Sequence, residues 1–173
     1  MLLRISTMKY FYHCNTPIGI VTLAPDGECL TALWFEAQKN YASGLSSNAQ
    51  YSDLPIFMKT AEWLEYYFHG TPPEEMPPIK FIGTPFQIAV WKALLKIPYG
   101  HTTTYKAISN EVARAMLRPA MSAQAVGGAI GRNPISIIVP CHRVIGSNGK
   151  LTGYAGGLER KLYLLQHEGR TIL

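Results

Sequence analysis

Pro140-Cys141-His142-Arg143-Val144, directly after the apolar run Ile137-Ile138-Val139, sets a thiol beside an imidazole and a guanidinium. A thiol is a strong nucleophile only as thiolate, and an imidazole or nearby positive charge favours that form. The same dipeptide also fits a buried structural cysteine, the common fate of this residue. The residues around the pentapeptide decide between the two.

Outward from it, the second half of the chain reads as mostly helical. Thr84-Pro85-Phe86-Gln87 is a helix start: a capping threonine, proline at the first helical position and glutamine three after the cap. Phe86, Val90, Ala93 and Leu94 give that helix its apolar face, and Pro98-Tyr99-Gly100 stops it. A second helix is expected from Tyr105, with Ile108 and Val112 inward. A third is expected from about Ser122 to Ile130, rich in Ala and Gly. Each glycine weakens an isolated helix by roughly 1 kcal/mol, so Gly127 and Gly128 imply close approach, either to another helix or to a nucleic-acid backbone. Two short helices joined by a turn in a basic region point to a helix-turn-helix. Residues 157–167 form the last expected helix, with Leu158, Leu162 and Leu165 on one face, and His167-Glu168-Gly169 ends it.

Upstream, Thr71-Pro72-Pro73-Glu74-Glu75-Met76-Pro77-Pro78 excludes regular helix and marks a linker, so a domain boundary is placed near residue 80. Before it, residues 9–14, 19–24 and 29–35 read as strands, joined by turn chemistry at Asn15-Thr16-Pro17-Ile18 and Asp26-Gly27. The polar stretch 38–52 is expected to be loop or irregular helix. Phe57, Ala61, Leu64 and Phe68 then fall on one helical face ending near Gly70, with Trp63, Tyr66 and Tyr67 as packing residues.

Composition bounds the function. The chain has 173 residues, 47% of them apolar and 16% charged, a globular balance. No apolar run approaches the ~20 residues of a membrane helix. Met1-Leu2-Leu3-Arg4 does not open a secretory signal. Cys14, Cys29 and Cys141 are too few for a disulfide framework, so a reducing, cytoplasmic setting is expected. Residues 1–83 hold five Lys/Arg and eight Asp/Glu, a net of −3, whereas residues 84–173 hold eleven and three, a net of +8. A split of that size points to a polyanion-binding half, with nucleic acid as the partner.

These motifs form an ordered set: Thr84-Pro85-Phe86-Gln87, Ile97-Pro98-Tyr99-Gly100, Thr104-Tyr105, Ala125-Val126-Gly127-Gly128-Ala129, Arg132-Asn133-Pro134-Ile135, the pentapeptide, Gly153-Tyr154-Ala155-Gly156-Gly157 and His167-Glu168-Gly169. The set closely resembles the O6-alkylguanine-DNA alkyltransferases, also called methylated-DNA–protein-cysteine methyltransferases. It covers residues 81–173 and is thinner before them, resting there on Thr16-Pro17-Ile18-Gly19 and the helix ahead of the linker.

The resemblance implies an α+β protein. An N-terminal ribonuclease-H-like α/β domain (1–80) would precede a mostly helical C-terminal domain (81–173) carrying the helix-turn-helix. It implies irreversible, single-turnover transfer of an alkyl group from O6-alkylguanine in double-stranded DNA to Cys141, without cofactor; a monomer is the default expectation, and no membrane is expected as a partner. The damaged nucleotide must leave the stack to be reached. By position, His142 would deprotonate Cys141 through a water, and Glu168 would hold His142 in the right tautomer. Tyr105 would protonate the leaving guanine, and Asn133 would tie the recognition helix to the active-site turn. The carbonyls of Cys141 and Val144 and the amide of Ala155 would read the base, with Tyr154 packing on it. Gly156, Ala125 and Arg132 would complete the base and DNA contacts. Arg143 either lowers the thiol pKa or braces the fold in a buried ion pair, and the second role is favoured.

Two departures concern DNA. Where the family carries an intercalating arginine before Ala-Val-Gly, this chain has Gln124, which lacks the charge and planar bulk. Weaker DNA binding and slower flipping are expected. The segment from Tyr105 to Gln124 is also about five residues longer than the family pattern, so that Arg114 or Arg118 could supply phosphate contacts. Some family members bind zinc in the first domain, but His13, Cys14, Cys29 and His69 lack a metal-ligand spacing, and no metal is expected. Two alternatives are a damage-recognition protein without transfer activity and a Cys-His hydrolase. The cysteine argues against the first and the ordered motifs against the second.

Overall fold

The computed structural model describes residues 8–70 and 74–169, a mixed α+β chain that divides into two compact units after Phe81. Thr71-Pro72-Pro73 of the expected linker and the terminal segments lie outside the described residues.

In the first unit, β1 (Met8–Thr16), β2 (Gly19–Asp26), β3 (Cys29–Phe35) and β4 (Leu45–Tyr51) form one sheet in the order β3-β2-β1-β4. β1 and β3 run antiparallel to β2, and β4 runs parallel to β1. The β2–β3 turn places Gly27 at φ 66°, a left-handed conformation that glycine adopts without strain. The polar stretch read as loop or irregular helix is thus partly strand. Its alternating Ser46, Asn48 and Gln50 carry too little apolar signal to announce one, and pairing with β1 overrides propensity. Its first part closes over Trp34, with Tyr41 edge-on to that ring and hydrogen-bonded to Thr22 (3.0 Å). Gln38 Oε1 accepts from Phe35 N (2.8 Å), capping the end of β3.

α1 (Pro55–Phe68) lies against the sheet. Its buried stripe is Ile56, Phe57, Thr60, Trp63, Leu64 and Tyr67, rotated from the expected one, and Ala61 and Phe68 lie at its margin. Trp63 and Tyr67 stack within the core, whereas Tyr66 is 51% exposed. Downstream of the prolines the chain rejoins β3: Leu30 N donates to Pro78 O and Lys80 N to Leu30 O.

In the second unit, α2 (Pro85–Leu95) opens with the expected capping box. Gln87 N donates to Thr84 Oγ1 (3.2 Å) and Thr84 N to Gln87 Oε1 (2.9 Å). α3 (Tyr105–Ala115) is capped by Thr104 and α4 (Ala123–Ile130) by Ser122. α2, α3 and α4 pack on one another through Val90, Leu94, Ile108, Val112, Val126 and Ile130, each worth about 1.5–3 kcal/mol when fully buried. The Trp91 indole N–H donates to Ala129 O (2.9 Å), locking α2 to α4. β5 (Thr103–Thr104) pairs in parallel with β6 (Val144–Ile145), joining the start of α3 to the exit of the pentapeptide. α5 (Leu158–His167) follows Gly157 and buries Lys161, Leu164 and Leu165. Leu158, expected inward, is 48% exposed.

Candidate active site

The run before Cys141 is no strand. Ile138 N donates to Ser136 O (2.8 Å), a three-residue turn centred on Ile137 at φ 69°. For a buried β-branched residue that is an outlier, costing on the order of 1–3 kcal/mol. A second tight turn, Cys141 N to Val139 O (2.8 Å), follows about Pro140. Cys141, His142 and Arg143 then form one turn of 3-10 helix, all buried.

Asn133 lies just past the end of α4 and organises this winding. Its side-chain amide donates to Val139 O (2.8 Å), Ile135 O (3.3 Å) and Cys141 Sγ (3.1 Å), while its Oδ1 accepts from Ile135 N (3.0 Å). The sulfur is therefore hydrogen-bonded to the residue that follows α4. Cys141 is 5% exposed. Burial pushes its thiol pKa up, and the Asn133 hydrogen bond and the Lys161 charge pull it partly back.

His142 is fully buried, and burial lowers its pKa although Glu168 opposes the shift. Its Nε2 lies 2.7 Å from Glu168 Oε1. An ionised carboxylate only accepts, so the neutral ring carries its proton on Nε2. Nδ1 is left as a buried acceptor with no hydrogen-bond partner among the described residues. A lone pair thus sits on the residue adjoining the thiol.

Glu168 holds several partners at once. Besides His142, it receives Arg143 Nε (2.8 Å) and Nη2 (3.0 Å) and the Gly100 amide (3.1 Å). Burial alone would raise its pKa, but the hydrogen bonds from His142 and Arg143 win and hold it well below the usual carboxylate range. Arg143 also donates to Ile97 O (2.6 Å) and lies over the Tyr99 ring. Gly100, at φ 71°, brings its amide so close that a Cβ there would stand 3.0 Å from Glu168 O. The Ile97-Pro98-Tyr99-Gly100 segment, read in sequence only as a helix stop, braces this ion pair.

Lys161 escaped the sequence reading. It is fully buried, and Nζ donates to Val144 O (2.6 Å), Thr152 O (2.7 Å) and Gly153 O (3.2 Å). Desolvation brings its pKa down to about 8. The signal was present: Lys161, Leu164, Leu165 and Glu168 fall at i, i+3, i+4 and i+7, so two charges share one buried stripe.

The remaining expected site residues are placed as follows. Val144 O accepts from Lys161 and Cys141 O from Val144 N, and each carbonyl keeps a second lone pair. Tyr105 Oη donates to Thr152 O (3.0 Å). The Tyr154 phenol has Cys141 and Ser136 among its neighbours, and burial keeps it neutral. Ala155 is half-buried and Gly156 buried, with Gly156 O accepting from Arg160 (3.0 Å). Gln124 and Ala125 are exposed on the first turn of α4, and Arg132 is exposed beyond its end. A Cβ on Gly127 would meet the Tyr105 ring at 3.6 Å and one on Gly128 would meet Arg132 at 3.9 Å, ordinary contacts, so packing inside the unit does not demand either glycine. Among the described residues no group of three or more His, Cys, Asp or Glu could hold a metal, and Cys14 and Cys29 are free. No helix among them is long and apolar enough to cross a membrane.

Fold and site together set a buried cysteine next to a hydrogen-bonded histidine–glutamate pair in a mixed α+β protein. Residues 85–170 match the DNA-binding domain of 6-O-methylguanine DNA methyltransferase. The chain is 42% identical to a methylated-DNA–protein-cysteine methyltransferase of Haemophilus influenzae, over 94% of this chain and 87% of that one. It is 44% identical to one of Mycobacterium bovis, over 93% of each. The crystal structure of the Mycobacterium tuberculosis O6-methylguanine methyltransferase superposes with a TM-score of 0.78 at 43% identity, covering 92% of both chains, and a structure of that organism's OGT in complex with DNA gives 0.79. The chain belongs to the methylated-DNA–protein-cysteine methyltransferase family.

Proposed function

We propose that this protein repairs DNA by moving the alkyl group of O6-alkylguanine onto Cys141, once per molecule. The observation that carries the reading is the neutral His142, adjoining Cys141 in the chain, with Nε2–H given to Glu168 and Nδ1 buried without a hydrogen-bond partner among the described residues. His142 takes the thiol proton at Nδ1 through a water, and Glu168 stabilises the imidazolium that forms, while Arg143 holds that carboxylate in place although its own charge opposes the imidazolium. Sulfur attacks the alkyl carbon, the C–S bond forms as the carbon–O6 bond breaks, and the electron pair leaves with guanine. A proton delivered by Tyr105 neutralises the leaving base, for which its hydroxyl must release Thr152 O, and the proton held on His142 then restores the phenol by way of solvent. In the net reaction sulfur exchanges a proton for the alkyl group, and neither cofactor nor oxidant takes part.

Cys141 is nearly buried, so the damaged nucleotide must turn out of the duplex and enter the protein. α3, its connection and α4 act as the helix-turn-helix, with exposed Gln124 and Ala125 facing the duplex and Arg132 on phosphate. Asn133 links that helix to the sulfur. The free lone pairs of Cys141 O and Val144 O and the Ala155 amide read the base, Tyr154 packs on it and Gly156 leaves room beside it. The first unit has the strand–helix make-up of the ribonuclease-H-like domain that the family resemblance implies, and it precedes the alkyl-transfer unit as a separate domain. The protein works as an intracellular monomer.

Intact mass after incubation with duplex DNA carrying O6-methylguanine tests the reading. A gain of one methyl, absent in Cys141→Ala, supports it. Unchanged mass with tight binding would instead indicate damage recognition without transfer.

A further inference from the structure

The α3–α4 connection ends α3 in an unusual way. Arg118 N donates to Ala113 O (2.8 Å) and Leu117 N to Arg114 O (3.1 Å), the paired hydrogen bonds that close a helix with one left-handed residue. Glycine ordinarily fills that position, and here it is Leu117, at φ 52°. Leu117 is also 94% exposed. Backbone preference and the hydrophobic effect both oppose a leucine at this point, and folding gains nothing from its side chain.

The tip is held, not loose. Beyond it, Ser109 Oγ donates to Met121 O (2.5 Å), and Ser122 then caps α4. Leu117 therefore stands out from a connection fastened at both ends, ahead of the exposed first turn of α4. It stands between Arg114 and Arg118, both exposed, in a stretch of chain where Arg132 and Lys150 are also exposed and no carboxylate occurs between Glu111 and Glu159. An apolar side chain set among cations complements a nucleic-acid groove, where hydrocarbon packs on sugars and base edges and phosphates line both sides.

We propose that the strained tip Leu117–Arg118 is a second duplex-DNA contact, with Leu117 packing into the groove and Arg114 and Arg118 on the flanking phosphates. It deepens, and rests on, the reading of this chain as a DNA alkyltransferase. The tip adds grip to a recognition helix that carries uncharged Gln124.

Leu117→Gly is the informative variant, because glycine suits the left-handed backbone and the fold should be kept. Binding of the full chain to an undamaged duplex, followed across salt concentrations, reads the contact. Leu117→Gly should raise the urea midpoint or leave it unchanged, yet weaken duplex binding about tenfold at fixed salt, as loss of one buried leucine implies. Arg114→Gln with Arg118→Gln should flatten the slope of log affinity against log salt by about 1.8, near 0.9 per phosphate. Binding by Leu117→Gly within twofold of the unsubstituted protein would overturn the proposal. So would unchanged binding with a shift in sedimentation of the concentrated protein, which would make the tip a protein–protein contact. Failure of the unsubstituted protein to gain a methyl would count against the alkyl-transfer reading alone, since undamaged DNA needs no transfer.

Discussion

Glu168→Gln removes one negative charge from the centre of the site while keeping the side chain's size. Four hydrogen bonds converge on this carboxylate, from His142 Nε2, Arg143 Nε and Nη2 and the Gly100 amide. The amide that replaces it offers one acceptor oxygen and turns an NH2 toward other donors. Arg143 is left as a buried cation without its counter-charge, and breaking such a pair costs about 3–5 kcal/mol. Against a total stability of about 5–15 kcal/mol, that is a large part of the whole. His142 loses the acceptor that fixes its proton on Nε2, so Nδ1 no longer reliably presents a lone pair to the thiol. The assay is urea unfolding followed by circular dichroism, paired with single-turnover methyl transfer from duplex DNA. The expected result is a loss of about 3–5 kcal/mol together with transfer slowed by about a hundredfold or more, the size of a general-base contribution. The double variant Arg143→Met/Glu168→Met should recover much of the stability, because it removes both charges, yet stay slow in transfer. A Glu168→Gln protein as stable as the original would refute the claim that this ion pair anchors the fold. Normal transfer would refute its role in orienting His142.

Four further outcomes follow. Burial depresses His142 below its ordinary 6.5, and Glu168 is held below its ordinary 4.5. The unfolded chain therefore binds more protons than the folded one below these values, and stability should fall as pH drops through 6.5 and again below 4.5, as urea midpoints across pH would show. Because burial raises the Cys141 pKa and the proposed mechanism passes its proton to His142, transfer should stay level from about pH 6.5 to 9 instead of rising tenfold per unit with free thiolate. Lys161→Met should leave the buried Val144 O without its side-chain donor, at about 1–3 kcal/mol for that group, and remove one donor each from Thr152 O and Gly153 O; hydrogen exchange should quicken over residues 152–157 and transfer should slow. Gln124→Arg should speed transfer from duplex DNA and scarcely change transfer from free alkylguanine, and equal duplex rates would count against Gln124 as the weak point in DNA engagement.

Local chemistry explains what could be read in advance. The Thr84 capping box, the Gly27 turn and the starts of α3 and α4 are set by residues within a few positions of one another, so their chemistry is visible in the chain. β4 escaped because the apolar positions of Leu45–Tyr51 are few and interrupted by Ser47, and only the neighbouring β1 makes it a strand. The stripe on α5 was read as leucines alone because a buried lysine breaks the apolar pattern, although Lys161 and Glu168 are what that face presents to the site. Gly100 and Tyr99 looked like a helix terminator because their partners, Glu168 and Arg143, lie far along the sequence. Ile137 reads only as part of an apolar run, and its left-handed backbone lies between two carbonyls that Asn133 holds.

Asn133 has two amide hydrogens and three acceptors within reach: two carbonyls and one sulfur. The sharing must therefore change with the sulfur's chemical state. A thiolate draws a hydrogen more strongly than a thiol, and a thioether attracts it more weakly than either. The side-chain amide resonances of this one asparagine thus form a natural gauge of the reaction coordinate, shifting one way on ionisation and the other once the alkyl group has arrived. The same redistribution tightens or slackens the carbonyls around Ile137, so news of a spent sulfur reaches the end of α4 without any helix having to move.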